Sequence, residues 1–500
     1  MATNTLRDRF RILLPAGLAI LILAAAAPCA AQLGLPPQFV VETADDWTAL
    51  FDRNSGWSGA DGIYSIPLRS DDRFGAADGQ QTLFLFSDTF IGEVDDSGQR
   101  TDTVMINNTG ALLRGGVPDS AAIEFLFRTD GSGAPASLIV PRTPETGPED
   151  YYWLGDGVVI GRTLHVFGLR IAPAGGIGFA SQGVTLISLP LDGPLQEPAQ
   201  IDTPLFLPDD GVRGDVIFGA GILDNTTAAG SPYADGYIYV YGTQNDPYVK
   251  KLVAARVRPE TFLDFTTWEY YGDGGWSGDV TDLAELTTRV SSELSVTPMP
   301  DGSGRWVLVF QEDAIGRYVS LRVGGSPIGP WSRIHRIYEV PEIQLDPDIY
   351  TYNAKAHPHI SRPGELLISY NVNTFDFWDH FRYADIYRPR FIRIRVDDGT
   401  PLREDAPTEG GPVLAAAPNP FNPRTEVSFR LDEAQPVTVA VYDVAGRMVK
   451  SLADGAFPAG SHTLTWDGRD HTGRSCPAGI YFCRLRTATA QSSTALSLVK

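Results

Sequence analysis

Cysteine is nearly absent from this chain of 500 residues: there are three, at positions 29, 476 and 483. Residues 32–400 hold none, which excludes a thiolate metal site and a cysteine nucleophile from the main body. Cations are also scarce. Forty Lys and Arg face 61 Asp and Glu, a formal charge of −21. No basic stripe offsets that, so a phosphate backbone is repelled and nucleic acid is not an expected partner. A single apolar run, Ile12 to Ala27, approaches membrane length, and it is short for the roughly 20 residues of a span. The chain is therefore not expected to be an integral membrane protein. Several site signatures are missing as well. There is no Gly-rich phosphate loop and no Gly-x-Ser-x-Gly elbow, since Gly56-Trp-Ser-Gly has the wrong spacing. There is also no Ser-x-Asp-x-Gly-x-Thr-Trp box and no EF-hand loop.

What is present is turn and strand chemistry. Gly at 51, Pro at 37, and 24 Phe, 19 Tyr and 9 Trp fit many short strands joined by turns. Residues 1–31 read as a secretory signal: Arg7, Arg9 and Arg11, then the apolar run, then small residues ending at Ala31. A membrane anchor and a lipid-modified Cys29 are the rival readings. Export makes a Cys476–Cys483 disulfide permissible, and a pair of free thiols is the equal alternative.

An aromatic-rich strand recurs five times, centred on Phe86, Phe167, Tyr241, Phe310 and Tyr370, at intervals that shorten from 81 to 60 residues. Each copy has an upstream partner: 61–66, 156–160, 220–224, 293–296 and 357–360. Units of that size each hold a four-stranded sheet. The expected fold is all-β, a five-bladed β-propeller over 36–400, closed by Phe39–Thr43 against Phe391–Val396. A two-sheet sandwich or a β-solenoid is the alternative. A linker over 401–416, rich in Pro, Gly, Ala and acid, leads to a small Ig-like β-sandwich at 417–500.

In a propeller, the start of each first strand and the end of each second strand meet at one mouth. The starts are Asp61, Asp156, Ala220, Glu293 and His357; the ends carry Asp88, Arg170, Gln244, Asp313 and Asn373. Facing carboxylates suit glycoside hydrolysis, one donating a proton and another attacking carbon or activating water. Glu293 is the expected acid, with Asp61 or Asp156 as nucleophile or base and Asp88 as the alternative carboxylate of the first blade. Trp57, Trp153 and Trp276 are candidates for stacking on sugar, and Asn107, Asn108, Arg170, Gln244 and His357 for bonding to it. Asp-Gly pairs such as 61–62 and 156–157 are equally turn chemistry. Lys355, His357 and His359 alternate along what would be one strand face. No cofactor is expected. A structural Ca²⁺ near Asp346-Pro-Asp348 is the one metal considered.

The stretches Gly56-Trp-Ser-Gly-Ala-Asp-Gly-Ile-Tyr-Ser-Ile-Pro-Leu68, Leu85-Phe-Ser-Asp-Thr-Phe-Ile-Gly92 and Ile106-Asn-Asn-Thr109 resemble a group of secreted bacterial propeller families, some of them endo-D-arabinanases. The body also looks like the five-bladed glycosidase clans that place an Asp, an Asp and a Glu on successive blades. In the tail, Pro418-Asn-Pro-Phe-Asn-Pro423, Val441-Tyr-Asp-Val-Ala-Gly-Arg447 and Pro477-Ala-Gly-Ile-Tyr-Phe482 resemble type IX secretion sorting domains and the Ig-like domain of flagellar hook-capping proteins. These resemblances imply a secreted or surface-displayed hydrolase of an extracellular polysaccharide, with arabinose-containing polymers among the candidates. They also imply a tail that engages the secretion machinery. A non-catalytic propeller that binds glycan or protein is the alternative.

Overall fold

The computed structural model describes residues 39–499, apart from 175–177, 194–197, 212, 246–248, 397–413, 419–420, 432, 444–447 and 488–490. The expected signal at 1–31 and the linker over 401–413 lie outside the described residues. The chain is nearly all β.

Among the described residues of the body, five antiparallel sheets follow one another along the chain, short strands Phe206–Leu207 and Ile315–Gly316 flank the inner strands of the third and fifth, and Ser55–Ala60, Thr89–Val94 and Arg100–Ile106 form a further sheet. The innermost strands are Tyr64–Pro67, Tyr151–Ile160, Val216–Asn225, Leu294–Pro298 and Ile349–Ala356. Sheet five receives Phe39–Thr43 from the start of the chain, paired antiparallel with the last body strand from Phe39↔Val396 to Thr43↔Ile392. A sheet completed by both ends of the body ties it shut without covalent linkage.

The second strands explain the aromatic-rich repeat. Each is buried on both faces, so it is apolar throughout, and alternate residues feed different cores. In Gln81–Phe86, Leu83 and Leu85 join the core between sheets one and two. Phe84 and Phe86 face the other way, into a core with Leu367 and Phe391 of sheet five. Likewise Ile238 and Val240 pack toward sheet two, and Tyr239 and Tyr241 pack toward sheet four. Val307 and Val309 complete the set by packing against sheet five. This layering of sheets in a ring is a β-propeller.

At two points neighbouring inner strands approach too closely to admit a side chain. A Cβ on Gly155 would come within 2.7 Å of the Gly219 carbonyl oxygen, and one on Gly221 within 2.5 Å of that of Leu294. Both glycines lie in β-bulges, at Leu154/Gly157 and Phe218/Gly221. A bulge inserts a residue and resets which side chains face the axis.

These bulges correct the expected alignment. The inner strands of sheets two and three run ten residues, so Asp156 and Ala220 sit mid-strand, not at the start. The fifth inner strand is Ile349–Ala356. His357 and His359 therefore lie beyond its end and do not share a strand face with Lys355. The apolar halves of these strands are visible as patterns; their polar, bulged halves are not.

The tail forms a sandwich of two sheets, one with Ala415–Ala417, Thr425–Leu431 and Gly460–Trp466, the other with Met448–Phe457, Gln435–Asp443, Gly479–Thr487 and Gln491–Leu498. The second domain thus begins inside the expected linker. Cys476 and Cys483 are buried in its core and are not joined by a disulfide.

Candidate functional site

Asp61 stands between two strands that leave it little freedom. Ser55–Ala60 precedes it, and its backbone pairs with the segment leading into Thr89–Val94: the Asp61 amide donates to the Asp88 carbonyl at 3.3 Å and the Ser87 amide to that of Asp61 at 2.9 Å. Gly62 follows at φ +67, where a Cβ would meet the Ser87 hydroxyl at 2.9 Å. The Asp-Gly pair is a turn, and it also aims a carboxylate at the mouth. The Tyr352 hydroxyl donates to Asp61 Oδ2 at 2.7 Å, and Asn373 donates to that hydroxyl at 3.0 Å. The Tyr387 hydroxyl lies close enough to favour the anion, yet Asp61 Oδ1 is buried without a partner in hydrogen-bond geometry. Burial, then the Asp88 charge, push this carboxyl up to about 8; Glu293 adds to the push and Tyr352 opposes it.

Asp88 accepts from Trp153 Nε1 at 3.1 Å and from the Asn107 amide at 3.4 Å. Burial raises it to about 6 against those two bonds. Trp153 is half-buried and meets Phe179 edge-on at 4.5 Å. Glu293 ion-pairs with Lys355 and accepts from the Asn353 amide at 2.9 Å. The Lys355 ammonium also lies 4.2 Å from the centre of the Tyr64 ring. Asp61 thus feels the charges of both Asp88 and Glu293 at one mouth.

Asp156 sits deeper. Its oxygens accept from the Gly157 amide at 2.8 Å and the Ile222 amide at 2.7 Å, the latter across to sheet three. Burial pushes it up to about 7 while both amides pull it back. It lines a cavity of about 60 Å³ along the axis, shared with Tyr64, Asp72, Asp224, Lys355 and His357. That volume holds a few water molecules. It is no sugar pocket.

Other expected contacts fall elsewhere. Trp57 is 2% exposed and packs on Phe51, Phe86 and Phe125; it is a core residue between sheets. Asn108 is buried and brackets backbone at Ile139 and Tyr152. Arg170 is held by ion pairs to Glu145, Asp150 and Asp202 and is buried away from the mouth carboxylates. Trp276 lies on the outermost strand of sheet three, stacked under the Arg256 guanidinium at 4.2 Å. His357 is buried with its ring nitrogens bonded to Ser65 at 2.8 Å and Ser369 at 2.7 Å, and burial holds it well below its usual range. Gln244 is half-buried at the end of the second strand of sheet three. Asp313 pairs with Arg289 at the surface. Asp346 caps the Asp348 amide and Asp348 pairs with Arg484. Among the described residues no group of three or more His, Cys, Asp or Glu is placed to hold a metal.

The site also contains residues that sequence reasoning missed, Tyr352, Asn353 and Tyr387, beside the expected strand-end residue Asn373 and with Lys355 as ion partner. A bulge between Tyr352 and Lys355 resets the register around Asn353. Asn353 has φ +59, a conformation Asn tolerates better than most residues. The Tyr-Asn pair was the available signal, and only a strand of known register would have made it readable.

Residues 44–400 match the family described as "Domain of unknown function (DUF5005)", well over half the chain. The chain belongs to that family. Residues 418–491 match the FlgD Ig-like domain. Over 86 residues the chain is 34% identical to the basal-body rod modification protein FlgD of Salmonella typhimurium, covering 17% of this chain and 33% of that protein; it spans about a third of the curated relatives it matches. A structure from Bacteroides ovatus, provisionally assigned as a hydrolase, covers 73% of this chain and 93% of its own, at 22% identity and a TM-score of 0.55. It shows the fold. A galactose-bound exo-beta-1,3-galactanase from Phanerochaete chrysosporium covers 81% and 92%, at 10% identity and a TM-score of 0.34. Among the described residues no helix is long and apolar enough to cross a membrane.

Proposed function

We propose that this DUF5005 member is a glycoside hydrolase acting on an extracellular polysaccharide, with Asp61 as its proton donor. The observation that carries the reading is the contrast between carboxyl groups at one mouth. Asp61 is pushed up to about 8 and keeps an unpartnered Oδ1, which suits a group that stays protonated near neutrality and donates to a leaving oxygen. Glu293 has a cation and an amide on its two oxygens, the partners of an ionised carboxylate. A carboxyl raised by burial beside one held by a cation and an amide suits an acid beside a base or nucleophile. This reverses the roles expected from sequence, where Glu293 was the acid. Asp88, at about 6, is the second ionised group at neutral pH. Trp153 offers a half-buried ring for a sugar face, and Asn107 an amide for a hydroxyl.

Asp156 has a different part. Two backbone amides satisfy it, so it ties the inner strands of sheets two and three together.

Export through the residue 1–31 signal, and delivery to the cell surface by the Ig-like domain acting with secretion machinery, complete the proposal. Arabinose-containing polymers head the substrate classes to try. The Lys355–Glu293 pair also favours a second reading, glycan binding without cleavage, because an ion-paired carboxylate is less available for chemistry. Incubating a panel of polysaccharides with wild type, Asp61→Asn and Glu293→Gln separates the two. Hydrolysis lost in both variants supports the enzyme; retention of a glycan without release of sugar supports the binder; Asp61→Asn cleaving as fast as wild type removes Asp61 from the chemistry.

A further inference from the structure

The Ig-like domain touches the propeller at a telling place. Arg484, on the strand Gly479–Thr487, is 4% exposed and pairs with Asp348 of the propeller at 2.8 Å. Its guanidinium lies between two rings, 4.9 Å from the centre of Phe375 in the propeller and 4.7 Å from that of Tyr442 in its own domain. Phe375 also meets Phe482 at 5.0 Å. Asp348 immediately precedes the fifth inner strand and Phe375 immediately follows its neighbour, and the Phe375 amide donates to the Asp348 carbonyl at 3.0 Å. This is the mouth where Asp61 lies. From Phe375 a ladder of rings runs inward: Phe375 to Tyr350 at 4.5 Å, Tyr350 to Tyr352 at 5.6 Å, and Tyr352 to Asp61 through its hydroxyl.

We propose that the Ig-like domain is a working wall of the candidate site, and that Arg484 is a positioning residue which clamps Phe375 and so holds Tyr352 against Asp61. The inference deepens the hydrolase reading and rests on it for its activity readout; its structural readout stands alone. An export address that only trailed on a linker would need no arginine packed between rings from two domains. Burying a guanidinium is costly unless it is paired and stacked, and both forms of compensation come in part from the propeller. The domain therefore excludes water from one side of the mouth and limits the approach of a polymer to the remaining sides.

Hydrogen–deuterium exchange on the full chain tests this. In Arg484→Ala, amides of residues 349–352 and 374–375 should exchange at least fivefold faster than in wild type, while those of Val216–Asn225 stay unchanged. Asp348→Asn breaks the same clamp from the propeller side and keeps the test valid if Arg484→Ala unfolds the small domain. With a hydrolysed substrate in hand, both variants should move the alkaline limb of the pH–rate profile upward, because the Tyr352 bond favours the Asp61 anion and its loss raises the group. A spacer role would leave that limb in place. Unchanged exchange at 349–352 in both variants overturns the proposal whether or not any glycan is cleaved. Faster exchange with an unmoved limb overturns the positioning role. Faster exchange in a chain that cleaves nothing upholds the clamp and refutes the hydrolase.

Discussion

Lys355→Met would remove a cation 2% exposed from a carboxylate 18% exposed. Removing one member of a buried pair costs about 3–5 kcal/mol, chiefly because the other charge is left without compensation. Glu293 keeps the Asn353 amide and some access to water, which places the cost near the lower end, about 3 kcal/mol. Losing the ammonium from the Tyr64 ring adds on the order of 0.5–1 kcal/mol. Unfolding entropy is about 2.1 cal/mol/K per residue, so a domain of roughly 360 residues changes by about 0.75 kcal/mol/K, and the variant should melt about 4–5 °C below wild type. Calorimetry of the full chain at neutral pH, with Glu293→Gln and the double variant alongside, reads this directly. The double variant has no orphaned charge and should be more stable than the sum of the single losses by about 2–3 kcal/mol. Additivity within about 0.5 kcal/mol would refute the view that the pair is coupled.

Asp61→Asn should lower hydrolysis about 10²–10⁴-fold, the range for loss of a general acid, and remove the alkaline limb that wild type shows near pH 8. The same variant should melt with less pH dependence: the folded chain holds the Asp61 proton up to about 8 against an ordinary 3.8, so wild-type stability falls as pH rises through that window. Trp153→Phe removes a bond that pulls Asp88 down, so the acid limb, near 6 in wild type, should move upward in a pH–rate profile. Asp156→Asn turns an NH₂ toward the Gly157 or Ile222 amide and should cost about 1–3 kcal/mol in denaturant unfolding. Trp57→Ala should cost about 3–5 kcal/mol while glycan affinity, measured below the new melting temperature, stays at the wild-type value.

The repeat of doubly buried strands was legible because burial on both faces demands an unbroken apolar run, and Phe84, Tyr239 and Val307 obey that demand locally. The tail was legible for a similar reason, since its turns and alternating strands are written in short segments. Asp88 follows such a strand by two residues, and Asp61 sits in the Asp-Gly turn ahead of its partner strand, so the positions of both in the chain could be read. Tertiary structure alone decided the rest. Bulges shift register without a sequence period, so Asp156 moved from the mouth to the axis and Asn353 and Lys355 moved into contact with Glu293. Trp57 and Trp276 share a Gly-Trp-Ser-Gly setting, yet one is core and the other rim, because their sheets continue differently on either side. Which carboxyl keeps its proton depends on burial and neighbouring charge summed over several sheets, and those are properties of the assembled ring rather than of any segment in it.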